Sequence, residues 1–493
     1  MAPIELTLQT LNLSALMPML ALVAGGMFLL IIDLFQKLDR GFYVTVTMMT
    51  LVLSLALLLS GGATGSGFFD MMLVDGIALA SQAIIIGASL LFIPLAMTGV
   101  RFMEFKFAEF YALFLFMIAG FAFMVSSDNL IMIFIGLETA SLALYTLIAM
   151  HRRDKSLEAA IKYFTMGGLA AAMIAFGAML LYAVTGSVEI SRIEQVLVAS
   201  GFSNLPLILA GSAFILAGLG FKLSIVPFHT WTPDVYEGAS APLAGYMSIV
   251  PKIAGFVVAL RLFEFLAHSP DQIVYWMLWV AAVATMTIGN VLALVQDGVK
   301  RMLAYSSVSH AGFVMTAIVM GTTQAHTGLF LYWTLFLFTN VGAFAMLWIS
   351  RHPSKVWDIR YDHPYKKFAG MVHLSPVGAL IMAIFMLSLA GIPPFALFWG
   401  KLYLISAAIT SDHLGLALIM LANSAIAVYY YLKLIIYMFL RDPEENDNTV
   451  YYQNGTMPLK VVLGIAAMAV TLSFLGVGPL IENLEQLIVS SGY

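Results

Sequence analysis

Cysteine is absent from the 493-residue chain, and charged residues make up only 10% of it. The first absence excludes thiol nucleophiles, disulfides and cysteine-ligated iron–sulfur centres. The second excludes a soluble enzyme, a disordered chain and a basic nucleic-acid binder, since soluble domains carry about 25% charged residues. A net charge of −4 gives no general electrostatic footprint for an anionic partner. No basic region opens the first dozen residues, so no cleavable signal peptide is expected. Nothing alternates in the short segments that an outer-membrane barrel needs.

What is present is apolar. Hydrophobic residues reach 61%, and the mean hydropathy is +0.95. A bilayer core about 30 Å thick takes about 20 apolar residues per helix. Fourteen such runs are expected, at roughly 13–36, 41–60, 73–98, 107–125, 128–150, 157–185, 205–231, 238–266, 272–295, 300–321, 325–350, 374–408, 412–440 and 458–480. The expected fold class is therefore an all-α polytopic membrane protein.

Basic residues near the span ends give an orientation. With both termini outward, the inner loops hold Lys37, Arg40, Arg101, Lys106, Arg152, Arg153, Lys155, Lys300, Arg301, Arg351, Lys355, Arg360, Lys366, Lys367 and Arg441. The outer loops then hold only Arg192. Lys460, Lys433 and Arg261 lie close enough to helix ends to snorkel to the headgroups. Lys162 is shallow in its span. Lys222, Lys252 and Lys401 lie too deep to snorkel, and Glu138 is the one acid near the middle of a span. A charge at the bilayer centre costs about 2.5–3.5 kcal/mol on insertion scales, so each deep group needs a function.

Two spans are interrupted. The seventh reads Phe221-Lys222-Leu223-Ser224-Ile225-Val226-Pro227-Phe228, and the twelfth reads Leu389-Ala390-Gly391-Ile392-Pro393-Pro394-Phe395. Proline removes a backbone donor and clashes with the preceding turn. Unwound backbone at Pro227 is expected to face protein or water, not lipid. Residues 107–266 and 267–440 each hold five spans, so the second unit is expected to be an inverted copy of the first. Three spans in 1–106 precede the two units and one in 441–493 follows them.

The deep charges suggest proton transfer. An amine taken out of water gives up its proton more readily, and a nearby carboxylate opposes this. Glu138 beside a lysine thus makes a switchable pair that feeds Lys222, Lys252 and Lys401. His310 extends the row, because imidazole titrates near neutral pH; its plainer reading is a histidine satisfied by Ser307, Ser309 or water. No haem ligand pair, dinucleotide-binding turn or metal-ligand spacing is visible. The 31 methionines read as gap-fillers. Tyr429-Tyr430-Tyr431 reads as interface or packing residues.

Several of these stretches resemble a known family. Pro227 to Ala239, with its Asp234-Val235-Tyr236-Glu237-Gly238-Ala239 core, and Ser248 to Gly255 are similar to signatures of the subunit N family of bacterial proton-pumping NADH:quinone oxidoreductase, an antiporter-like membrane subunit of respiratory complex I. Gly136-Leu137-Glu138, Ala160 to Phe164, Arg301 to Gly312 and Leu389 to Lys401 match as well. Ser240-Ala241-Pro242 departs from the usual Pro-Thr-Pro.

The resemblance implies a proton-translocating subunit. It implies Glu138 and Lys222 as a coupled pair, Lys162 on the input side, Lys252 as central relay, His310 as a relay position and Lys401 on the exit side. It further implies no cofactor or metal in this chain, with flavin and iron–sulfur centres in partner subunits. The implied partners are the other membrane and peripheral subunits of complex I and the lipid bilayer, with quinone used by the complex but not clearly bound here. The implied location is the bacterial inner membrane, with both termini periplasmic. The rivals are a sodium/proton antiporter subunit of a multisubunit cation antiporter and a membrane scaffold without its own ion path. Sodium coupling favours more intramembrane carboxylates than Glu138 alone.

Overall fold

The computed structural model describes residues 12–62, 65–69, 71–97, 104–267, 269, 272–351, 362–442, 451–452 and 455–493. Arg101, Lys355 and Arg360 of the expected inner loops lie outside them.

The chain is a helical bundle, in order α1 (Met17–Phe35), α2 (Arg40–Gly61), α3 (Gly76–Phe92), α4 (Ala108–Val125), α5 (Leu130–Ala149), α6 (Asp154–Thr185), α7 (Ile190–Ala199) and α8 (Leu205–Leu223). Then come α9 (Trp231–Gly238), α10 (Ala241–Met247), α11 (Val250–Ala267), α12 (Ile273–Leu294), α13 (Val299–Met320) and α14 (Thr323–Ile349). The chain continues through α15 (Pro376–Ala390), α16 (Ala396–Thr410), α17 (Leu414–Leu440) and α18 (Met457–Ser490). Two short antiparallel ladders, Gly65–Gly67 with Met72–Val74 and Ser350–Arg351 with Tyr451–Tyr452, are the only sheets among the described residues.

Among the described residues, twelve helices are long and apolar enough to cross a membrane, the first counted from Leu13. The expected fourteen follow only if α11 is added and α15 with α16 counts as one interrupted crossing. Each of that pair has 15 residues, about 22 Å of helix, which is short of the bilayer core.

Local chemistry places the helix starts. Asp39, Asp75, Asn129 and Thr322 each accept a backbone N–H in the first turn of α2, α3, α5 and α14. Small residues let helices approach closely. A Cβ on Gly120 of α4 would come within 2.6 Å of the Gly136 carbonyl on α5. Helices α11, α13 and α14 are buried almost all round, while α2, α6 and α18 expose most of their surface.

The structure corrects the reading around the seventh span. The break expected at Pro227 within the 205–231 span is there but starts earlier and ends the helix outright: α8 stops at Leu223, and residues 224–230 are irregular. Beyond them, two short helices fill 231–247 before α11 begins. The stop is local: Ser224 takes a left-handed φ of 61°, and the Ile225 N–H turns back to the Gly220 carbonyl at 2.7 Å. The sequence reading also missed α7, which buries Ile190, Ile193 and Leu197 at helical spacing.

Pro227 itself lies at the surface of the chain. It is exposed, at an apolar groove lined by Phe228, Trp276, Met277 and Val280. Proline has no N–H to satisfy, and the Val226 N–H donates to Thr285 Oγ1 at 2.9 Å.

Candidate functional site

The site is built where α8 ends. Lys222, Lys252, His310 and Lys401 are 5%, 0%, 3% and 6% exposed, so all four face the interior of the bundle.

Lys222 sits in the last turn of α8. Its Nζ donates to Ser141 Oγ at 2.6 Å and Tyr145 OH at 3.3 Å. The rings of Tyr145, Tyr163 and Phe221 surround the ammonium at 5.5–5.7 Å, so the site offers π-faces as well as hydroxyls. Glu138, Ser141 and Tyr145 lie at i, i+3 and i+7 on α5, one face of the helix. Glu138 interacts electrostatically with Lys222, but no contact within 4 Å joins them, and Glu138 Oε1 has no hydrogen-bond partner among the described residues. A carboxylate close enough to be felt yet not bonded leaves the amine held by neutral hydroxyls. Trp231 of α9 seals this chamber: its Nε1–H donates to the Phe221 carbonyl at 2.8 Å, and its ring stacks on Tyr163 with centroids 4.4 Å apart.

Lys252 of α11 donates to both the carbonyl and the hydroxyl of Ser307 on α13, each at 2.6 Å. One turn on, His310 bonds Tyr332 OH through Nδ1 at 2.5 Å and Tyr431 OH through Nε2 at 2.9 Å. Tyr431 also pairs with the Ser306 hydroxyl. His310 feels both Lys252 and Lys401 electrostatically. The histidine is thus satisfied, but by tyrosines and not by Ser307, which serves Lys252, or Ser309. The reading of the Tyr429-Tyr430-Tyr431 run also changes. Tyr429 is exposed, whereas Tyr430 bonds Asn290 at 2.9 Å and Tyr431 bonds His310. Three successive positions on a helix point about 100° apart, so one triplet reaches both surface and interior.

Lys401 of α16 reaches back across the second break. Its Nζ donates to the carbonyls of Leu389 and Ala390, at 3.2 and 3.0 Å, at the end of α15. Gly391 follows with φ 83°, and a Cβ there would lie 2.8 Å from Lys401 Cδ. Both the left-handed backbone and the packed lysine stem require glycine.

Lys162 lies apart from this row. Its side chain is 43% exposed and pairs with Glu158 at 2.6 Å and Asp234 at 3.2 Å. Asp234 is shared with Arg301 of α13 at 2.8 Å, and Arg301 also holds Glu237 at 2.8 Å. This charged patch clamps α6, α9 and α13 together. Arg261 is not a snorkelling residue: it is buried and bound to Asp75 at 2.8 Å, 186 positions away. Lys300, assigned to an inner loop, is also buried, donating to the Glu237 and Ala239 carbonyls at 3.1 and 2.5 Å.

Sequence reasoning found the charges and missed their hydroxyl partners Ser141, Tyr145, Tyr332 and Tyr431. Among the described residues no group of three or more His, Cys, Asp or Glu could hold a metal.

Comparison with known proteins gives the same outline. The profile of a family described as "NADH:quinone oxidoreductase/Mrp antiporter, TM" matches residues 127–427. The chain is 60% identical to the NADH-quinone oxidoreductase subunit N of Sulfurimonas denitrificans, over 100% of both chains. It is 54% identical to the subunit N of Sulfurovum sp. (strain NBC37-1), over 100% of this chain and 99% of that one. A chain of respiratory complex I from Thermus thermophilus with bound aureothin superposes with a TM-score of 0.80 at 30% identity, covering 95% of this chain and 99% of that one. A chain of the Mrp complex from Dietzia sp. DQ12-45-1b reaches 0.81 at 19% identity over 98% and 97%, which shows a shared fold.

Proposed function

Because the chain belongs to the NADH:quinone oxidoreductase/Mrp antiporter transmembrane family, and to its subunit N branch along its full length, we propose that it is the proton-translocating subunit through which NADH-to-quinone electron transfer in other subunits drives proton transport. It acts as part of an enzyme and carries no redox step of its own. Flavin, iron–sulfur centres and quinone chemistry belong to partner membrane and peripheral subunits. The chain sits in a bacterial inner membrane with both termini periplasmic, the orientation that its basic loops favour. Residues 107–266 and 267–440 act as two five-crossing units of opposite orientation, flanked by 1–106 and 441–493.

The observation that carries this reading is the interior row itself. Lys222, Lys252, His310 and Lys401 are buried among hydroxyls, carbonyls and rings, with no salt bridge to neutralise any of them among the described residues. A buried charge with that little compensation is costly, and moving protons is a function that would justify keeping it. Glu138 controls Lys222: while the carboxylate is charged the ammonium is stable, and when it is neutralised the lysine passes its proton on. Lys252 receives it through Ser307, His310 carries it between Tyr431 and Tyr332, and Lys401 releases it at the second break. Lys162 gathers protons at the charged patch on the input side. Glu138 as the single carboxylate of the row favours protons over sodium, a hard cation that prefers several oxygen ligands.

Two measurements test this. Purification in mild detergent should bring down a peripheral arm containing flavin and iron–sulfur centres. Membrane vesicles carrying Glu138→Gln should keep that arm and lose NADH-driven proton uptake; full uptake with full assembly would overturn the assignment.

A further inference from the structure

Among the groups left unused by this relay, Tyr236 is the most unusual. It lies on α9, is 0% exposed, and its hydroxyl has no hydrogen-bond partner among the described residues. A buried phenol left unpaired is destabilising, so the position needs a reason. The hydroxyl is near enough to Ser307 to interact with it without closing a hydrogen bond of good geometry, and Ser307 holds Lys252 through both its carbonyl and its hydroxyl.

The helix that carries Tyr236 is fixed by two neighbouring helices, α13 and α6. Arg301 binds Asp234 and Glu237, Lys300 binds the Glu237 and Ala239 carbonyls, and Ser156 Oγ donates to the Gly238 carbonyl at 2.6 Å. Arg301 and Lys300 stand on α13, two turns before Ser307. The same helix therefore anchors α9 and presents the serine to its tyrosine. On the other side, Tyr236 is within electrostatic range of Tyr163, whose ring meets that of Tyr145 at 4.8 Å. Tyr145 in turn bonds Lys222. A string of phenols thus runs from the first lysine toward the second.

We propose that Tyr236 is a proton-transfer residue that connects the Lys222 side of the site to Lys252 by way of Ser307. The step balances without any cofactor. The Tyr236 oxygen accepts a proton from the Lys222 side as its own O–H proton passes to Ser307 Oγ. The serine proton passes to the neutral amine of Lys252, which becomes an ammonium. Tyrosine and serine end unchanged, and rotation of both hydroxyls resets the path. The unpaired hydroxyl is what permits this, since a phenol locked in a strong bond could not turn from one neighbour to the other.

The proposal rests on the relay reading above, and the test separates the two. The assembled complex is reconstituted in vesicles with Tyr236→Phe, which keeps the ring that meets Trp231 edge-on at 6.2 Å and removes only the oxygen. NADH-driven proton uptake should fall roughly tenfold, less than a full general acid–base contribution because water partly substitutes, with a larger deuterium solvent effect than the parent complex. Ser307→Ala keeps the carbonyl bond to Lys252 and should give the same loss. The double variant should be no worse than the worse single one, because both break one step. Full uptake with Tyr236→Phe, or additive losses, would overturn the proposal. If Tyr236→Phe fails to assemble, Ser307→Ala decides: loss supports and full uptake overturns. Lys252→Ala in parallel identifies which claim has failed. Uptake lost only with Lys252→Ala removes Tyr236 and leaves the relay, whereas uptake retained with Lys252→Ala removes the relay itself.

Discussion

The breaks after α8 and after α15 share one backbone design and differ in where the lysine stands. Ser224 and Gly391 are both left-handed, with φ of 61° and 83°. The next N–H turns back to Gly220 in one case and Leu387 in the other, at 2.7 and 3.0 Å. Pro227 and Pro394 then follow at the same distance from the turn, and both face outward. Yet Lys222 precedes its break by two positions, and Lys401 follows Gly391 by ten. The consequence is in the carbonyls that each helix end leaves open. At the first break Trp231 takes the Phe221 carbonyl, so Lys222 is free to turn toward Ser141 and Tyr145 near Glu138. At the second, Lys401 itself takes the Leu389 and Ala390 carbonyls. One lysine is a switch beside a carboxylate; the other is also part of the backbone's hydrogen-bonding.

Removing each lysine should break this comparison most sharply. Lys222→Met should abolish proton uptake while the chain stays folded and assembled. Lys401→Met should abolish uptake and also destabilise the chain, because two buried carbonyls lose their donor at about 1–3 kcal/mol each. Thermal unfolding of the purified complex checks this. Equal unfolding temperatures for the two variants would erase the distinction.

Glu138→Gln should come next, lowering uptake strongly with assembly intact. It acts only through Lys222, so adding it to Lys222→Met should make nothing worse. An additional loss would mean that Glu138 serves another partner.

The turns themselves should differ more modestly. Gly391→Ala meets both a left-handed φ and the Lys401 stem, so it should cost about 1–2 kcal/mol or more. Ser224→Gly relieves the φ but loses the bond from Thr232 Oγ1 to Ser224 Oγ at 2.8 Å, so it should be close to neutral. Unfolding midpoints of the two variants give the contrast.

The smallest effect is expected outside the membrane. Burial, with Lys367 beside it, holds the His363 imidazole well below its ordinary value. The folded loop therefore binds fewer protons than the released loop. Its stability should be fully present above the unfolded value of about 6.5 and fall as pH drops below it. Amide exchange of residues 362–370 between pH 7.5 and 5.5 reads this directly; a flat profile would contradict it.

The membrane class, both broken spans, the deep lysines and Glu138 were legible in the sequence, because a charge or a proline stands out against apolar background. The hydroxyls were not, since serine and tyrosine are common in such helices and only spacing marks them. Ser141 and Tyr145 fall at i+3 and i+7 from Glu138, and that pattern would have exposed them. Tyr431 was hidden inside a triplet whose members point to different sides. Arg261 was misread because depth along a helix says nothing about an Asp75 that lies 186 positions away. Lys162, which the family resemblance puts on the input side, lies in an exposed charged patch with Glu158 and Asp234 that its depth in the span did not reveal.

The most direct test of the relay is Lys252→Arg. It keeps the positive charge beside Ser307 but substitutes a guanidinium that does not release its proton in proteins. In vesicles holding the fully assembled complex, the relay predicts loss of NADH-driven proton uptake for Lys252→Arg, comparable to Lys252→Ala. Uptake at the parent level with arginine in place would show that a fixed charge suffices at this position, and would contradict proton transfer through it.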